Sequence, residues 1–271
     1  MKKVGVLGSV GTFTHVALEK FEKELNLKFE PVFFSSVDLC FQNFSKLDYI
    51  VLPIENSIDG FIQRNLDLLL DYQAFVIKST SLKVDFKFVS NTKDISSINK
   101  LYVFYKTLNQ CSKFVNSFKD LQIEYSDHNI DSFERFRNDN SFLSSAIIPK
   151  HINTSRDQFI VEDIVDEIKN ETRFFIVSKD KENHLIDNSI IKVLLVITPD
   201  IDSPGILVDI LNIFKEKKIN LSSLMSRPTR KELGKYHFFI ELSYEYNKSS
   251  DFEDAINRLK GSNNCQVLGL F

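Results

Sequence analysis

The period at which apolar residues recur changes repeatedly along this chain, and that limits it to few architectures. Over the first 178 residues, short apolar runs at 3–7, 48–52, 74–79, 83–89, 100–104, 144–148 and 174–177 alternate with helical spacings. Examples of the latter are Val16, Ala17, Phe21 and Leu25, then Leu66, Leu69 and Leu70, then the segment 111–118. Short apolar runs read as strands, and recurrence at every third and fourth position reads as helix. Strands alternating with helices predict an α/β domain around a largely parallel sheet. The second strand is expected to end at Pro53, and GSVG at 8–11 to form a turn. The polar stretch SKDKENHLIDNS at 178–189 then reads as a linker. Beyond it the order is strand 191–198, turn 202–205, helix 206–217, strands 219–226 and 236–244, helix 251–261 and strand 265–270. That is the split β-α-β pattern in one compact unit. Lys215, Lys217 and Lys218 suit the negative end of its first helix.

Composition excludes several classes. Of 271 residues, 43% are hydrophobic and 26% charged, a balance able to bury a core. The 34 Lys and Arg against 37 Asp and Glu leave a net charge of -3, which argues against a duplex nucleic acid as partner. A small anionic substrate needs only one local cation and stays open. The apolar run at 190–197 is interrupted by Lys192 and falls far short of the ~20 residues of a membrane helix. Gly5, Gly8 and Gly11 break the apolar start of the chain, so it reads as a strand and turn rather than a signal peptide. Cys40, Cys111 and Cys265 are scattered, and His15, His128, His151, His184 and His237 form no HxxxH pair. The expectation is a reduced, cytoplasmic, metal-free protein.

Three segments hold residues that could carry chemistry. In GSVGTFT (8–14), glycines between a strand and a helix permit positive φ, and free N–H groups at a helix start favour an anion. The spacing is not that of a dinucleotide fingerprint, and taken alone the segment is better read as an ordinary turn. PIENS (53–57) follows a strand, where α/β domains place ligands. A capping turn explains it equally well. In NETRF (170–174), Arg173 could hold a carboxylate bidentately and Thr172 offers a hydroxyl. A surface arginine beside a strand threonine is the alternative.

Taken in order, these segments resemble the prephenate dehydratase family over nearly the whole chain. GSVGTFT is similar to the family's N-terminal glycine segment, and PIENSIDG (53–60) to its P-[IV]-E-N-S-x-x-G segment. VED (161–163) followed by NETRF resembles its E-D…N-x-T-R-F signature. Gln110 and Cys111 match the end of its S-[HN]-P-Q-A-L-x-Q-C segment. PGIL (204–207), INL (219–221) and SRP (226–228) resemble its C-terminal ACT regulatory domain.

The resemblance implies a catalytic domain over 1–180, built of two lobes like a periplasmic binding protein. Lobe one would span about 1–79 plus 165–180 and lobe two about 80–164, followed by a βαββαβ ferredoxin-like ACT domain over 190–271. It implies a carbon–oxygen lyase of phenylalanine biosynthesis that converts prephenate to phenylpyruvate without a cofactor. The partners implied are prephenate, an L-phenylalanine effector and copies of the chain in a homodimer or homotetramer. Thr172, Arg173, Asn56 and Gln110 carry over as catalytic residues of one cleft. Gly11, Thr12, Glu55, Ser57 and Phe174 carry over as substrate-binding residues, with Arg173 and the N–H groups near Gly11 and Thr12 holding carboxylates. Gly205, Ile206, Leu207, Asn220, Ser226 and Arg227 carry over as the phenylalanine site.

The chain departs from the family at several positions. Ser9 replaces a proline, and Val103, Phe104 and Tyr105 stand where the family has Ser, His or Asn, and Pro. Met225 replaces the glutamate before SRP, and Ile206 replaces a small alanine, which predicts weak or altered phenylalanine inhibition. The same chemistry on arogenate is the near alternative. A non-catalytic sensor with an ACT domain is the alternative of another class.

Overall fold

The computed structural model describes residues 1–154, 159–181, 190–201, 203–230, 232 and 234–271. Most of the expected linker (182–189) and residue 202 of the expected turn lie outside the described residues. Strand β1 (Lys2–Leu7) leads into α1 (Phe13–Leu25), β2 (Phe29–Phe34), α2 (Val37–Gln42) and β3 (Tyr49–Asn56). A short β4 (Gly60–Phe61), helix α3 (Gln63–Asp71) and β5 (Phe75–Lys83) complete the first pass. The chain then crosses to a second sheet. This part comprises β6 (Phe86–Ser90), β7 (Lys100–Phe104), α4 (Tyr105–Gln110), α5 (Ser112–Val115), β8 (Gln122–Ser126), α6 (Asn129–Asn138), β9 (Ser144–Pro149) and β10 (Phe159–Val161). Strand β11 (Glu171–Ser178) returns to the first sheet. The last unit is β12 (Ile190–Pro199), α7 (Ile206–Glu216), β13 (Asn220–Pro228), β14 (Tyr236–Glu245), α8 (Ser249–Lys260) and β15 (Asn263–Leu270), the expected β-α-β-β-α-β order.

Neither sheet is largely parallel, which corrects the expectation. The first runs β13-β14-β12-β15-β5-β11-β3-β1-β2, with β4 on β3, and the second runs β10-β6-β9-β7-β8. Because β11 comes back from the second sheet, it enters between β3 and β5 antiparallel to both. In the second sheet β6 is antiparallel to β9 and β10, whereas β7 is parallel to β8 and β9. The β3 strand does not stop at Pro53 but continues to Asn56. A register shift opposite Arg173 and Phe174 leaves Ile54 as an extra residue, and such a bulge tolerates the missing proline N–H.

The C-terminal unit is joined edge to edge with the first sheet. Gly269 of β15 pairs with Val76 of β5. A Cβ at Gly269 would lie 2.5 Å from the Val76 Cβ and 2.9 Å from its carbonyl oxygen, so only glycine permits this approach. One apolar cluster crosses the seam, combining Ala74, Val76, Phe175 and Val177 with Leu194, Val196, Phe239 and Leu268.

Candidate active site

Strand register decides which side chains of NETRF and PIENS meet. In the β3–β11 ladder Thr172 lies opposite Asn56, and Arg173 opposite Glu55. Directly opposed residues share a face, and the next pair along takes the other. Asn56 and Thr172 therefore point one way and Glu55 and Arg173 the other. The Asn56 Nδ2 donates to Thr172 Oγ1 at 3.0 Å and to Asn170 Oδ1 at 2.8 Å.

Two backbone N–H groups set the polarity of this network. The Asn56 Oδ1 accepts from Ile58 N at 3.0 Å and Asp59 N at 3.2 Å, which fixes which end of the amide is oxygen. Its nitrogen must then face Asn170 and Thr172. Asn170, buried, accepts with its oxygen and donates Nδ2 to Gln110 Oε1 at 3.1 Å. Every bond along Gln110–Asn170–Asn56–Thr172 thus has a defined direction. The Thr172 oxygen is an acceptor from Asn56, so its own proton is available to a ligand. The amide nitrogen of Gln110 is likewise available.

These groups line a cavity of about 720 Å³. Pro53, Asn56, Thr172 and Phe174 come from the first sheet, and Phe86, Phe104 and the α4 residues Lys106, Thr107 and Gln110 come from the second part. Phe13, Phe61, Phe86 and Phe174 supply apolar wall suited to a carbocycle. Thr107 is buried and donates to Asn129 Oδ1 at 2.5 Å, which anchors α4 to the start of α6. The charged lining among the described residues is Asp59, Asp166, Glu167 and Lys106. Asp166 accepts from Ser112 N at 2.9 Å, Ser112 Oγ at 2.7 Å and Lys113 N at 3.1 Å. Burial pushes its carboxyl up, but those hydrogen bonds outweigh it and hold the group below the ordinary value of 3.8. It caps α5 and is already engaged.

The expected site residues do not all meet here. Thr172, Asn56, Gln110 and Phe174 line the cavity, whereas Arg173, Glu55, Ser57, Gly11 and Thr12 do not. The expectation that Arg173 shares a cleft with Thr172 is overturned by strand alternation. Its guanidinium pairs with Glu55 at 3.0 Å and with Glu241 of β14 at 2.6 Å, behind the cavity wall. It also lies over the rings of Phe61 and Phe175. Ser57 accepts from Glu171 N at 2.9 Å and donates to Lys169 O at 3.1 Å, so it clamps the start of β11. The N–H groups expected to bind carboxylate are occupied: Gly11 N donates to His15 Nδ1 at 3.4 Å and Thr12 N to Ser9 O at 3.2 Å. Thr12 caps α1, and the neighbouring Phe13 and Thr14 reach the cavity instead. Asn170 and Thr14 stood inside the segments singled out from sequence, but their roles needed the fold.

The residues expected to bind phenylalanine fall in two places. Gly205 has φ +92° and leads into α7, with Ile206 and Leu207 on its first turn. Asn220, Ser226 and Arg227 lie on β13, the end strand of the first sheet. Arg227 is forked onto Asp67 of α3, with Nε at 3.0 Å and Nη2 at 2.6 Å, and Arg230 meets the same carboxylate. None of the six lines the main cavity.

Fold and cavity together define a mixed α/β protein with an apolar-walled cavity lined from both of its sheets. The family model described as prephenate dehydratase matches residues 4–182. The chain belongs to the prephenate dehydratase family. It is 26% identical to the prephenate dehydratase of Lactococcus lactis subsp. cremoris over 271 residues, covering 98% of this chain and 96% of that protein. The crystal structure of the Staphylococcus aureus prephenate dehydratase superposes with a TM-score of 0.82 at 27% identity, covering all of both chains. The Arthrobacter aurescens prephenate dehydratase, crystallised with L-Phe, gives 0.81 at 23% identity, covering 99% of this chain and 89% of that one.

Proposed function

We propose that the chain converts prephenate to phenylpyruvate in this cavity, with Thr172 as the group that assists departure of the ring hydroxyl. Prephenate dianion and one proton give the phenylpyruvate anion, CO2 and water. The C–C bond to the ring carboxylate breaks, its electron pair enters the ring, and the opposite C–O bond breaks. Aromatisation supplies the driving force, so the protein must position the ring and assist the leaving oxygen, with Thr172 as hydrogen-bond donor or relay of a proton that comes from solvent. Positioned proton donors typically contribute ~10²–10⁴-fold. The observation that carries this reading is the Asn56–Thr172 hydrogen bond. By donating to the threonine oxygen, Asn56 turns the threonine proton outward. Gln110 and Asn170 hold that geometry, and Phe174 and Phe86 face the ring.

Arogenate is a second reading, favoured by one observation: the exposed carboxylates Asp59 and Glu167 line the same cavity and suit an ammonium. The test is phenylpyruvate formation from prephenate by the purified chain, set beside phenylalanine formation from arogenate. Turnover of neither substrate overturns the assignment and favours the sensor.

The proposed division is a two-lobed catalytic domain over 1–180, its second lobe beginning after β5 ends at Lys83, and an ACT unit over 190–271. Its β-α-β-β-α-β order supports that division. The proposed effector is L-phenylalanine, supported by the A. aurescens relative. Met225 stands where the family has a carboxylate, and it packs against the shared apolar cluster, so weak inhibition is the expectation. A cytoplasmic homodimer or homotetramer completes the proposal.

A further inference from the structure

We infer that Lys106 is the substrate's carboxylate anchor and that it grips the carboxylate the product keeps. The inference rests on the prephenate reading. A dianion in a cavity that already holds Asp59, Asp166 and Glu167 requires a compensating cation. The guanidinium nearest in sequence to the reacting alcohol cannot serve, because Glu55 and Glu241 hold it on the far face of β11. Among the described residues, Lys106 is the one Lys, Arg or His lining the cavity, and no ion pair engages it. It precedes Gln110 by four residues on α4, so the ammonium and the end of the amide network share a helix face about one turn apart.

Substrate geometry fits this placement. Prephenate carries its hydroxyl and its two carboxylate-bearing groups at opposite ends of the ring. Thr172 occupies one end of the polar network and α4 the other. Which carboxylate is held follows from energetics. A cation on the ring carboxylate would stabilise a charge that disappears as CO2 leaves, so it would favour the ground state and slow the reaction. A cation on the pyruvyl carboxylate stabilises substrate, transition state and product alike. Lys106 is therefore a binding residue whose loss appears in KM rather than kcat.

The test compares Lys106→Met and Lys106→Arg with the parent chain, using steady-state kinetics on prephenate and calorimetric binding of phenylpyruvate. Lys106 is exposed, and equal thermal midpoints certify that the variants fold. For Lys106→Met, KM for prephenate and Kd for phenylpyruvate are expected to rise by one common factor, about 10- to 100-fold, with kcat within about twofold. Lys106→Arg recovers most of the loss. Unchanged KM and Kd overturn the inference, as does a raised KM with unchanged phenylpyruvate affinity or a fall confined to kcat. If the parent chain does not turn over prephenate, the functional reading fails. The phenylpyruvate titration still decides for or against Lys106.

Discussion

The alcohol of Thr172 matters because of what surrounds it. An isolated threonine is a very weak acid, and here the Asn56 amide donates to its oxygen and orients the remaining proton. Thr172→Val keeps shape and strand propensity and removes the proton. Its kcat should fall about 10²–10⁴-fold with little change in KM, measured by phenylpyruvate release. An unchanged kcat removes Thr172 from the reaction. NETRF and PIENS have ordinary structural readings when taken alone, and it is their resemblance to the family's segments that brings Thr172 and Asn56 together in the sequence. The place of Arg173 was not legible. Adjacent residues in a strand face opposite ways, and which face meets the cavity depends on register with β3, set 116 residues earlier at Asn56. Lys106 is illegible in the sequence for a related reason: a lysine is unremarkable until a fold places it on the wall of a cavity.

At the level of elements, β11 serves two clients. One face completes the cavity and the other holds the partly buried Arg173 between Glu55 of β3 and Glu241 of β14. Glu241 is 5% exposed, and its Oε2 and the Arg173 Nε are buried without a partner. Removing one member of such a pair strands the other, at a typical cost of about 3–5 kcal/mol. Arg173→Met is thus expected to lower stability by that order in urea titrations, and Glu241→Leu in the same chain to restore much of it. A normally stable Arg173→Met with a greatly raised KM would return the guanidinium to the substrate. The cap on α5 has a pH signature. Asp166 titrates below its ordinary value of 3.8 in the fold, so its contribution is complete above that pH and is lost as pH falls through the native value. Asp166→Asn should reduce stability at neutral pH and flatten the acid limb of the unfolding-midpoint curve. An acid limb identical to the parent's would contradict the cap. Several elements escaped sequence reading for local reasons. Strand β2 contains Pro31, which argues against a strand unless it lies at an edge, as β2 does. Strand β8 (QIEYS) is half exposed and lacks an apolar run, and β10 (FIV) is apolar but only three residues long.

Across the whole molecule, the element order of the C-terminal unit is the most legible part, because its apolar strand runs and helical spacings follow one another closely. How it attaches was not legible, since the joint is a glycine against a valine separated by nearly 200 residues. Gly269→Val should misfit that joint and cost about 1–3 kcal/mol as an overpacked contact, read as a lowered thermal midpoint. An unaltered midpoint would show the seam to be loose. The shared cluster of Phe175 and Val177 with Leu194, Val196 and Phe239 has a consequence for dissection. A fragment ending before Ile190 would leave greasy flesh uncovered and Arg173 short of one counter-ion. Such a piece would clump rather than stand alone, so the enzyme must be engineered and assayed whole.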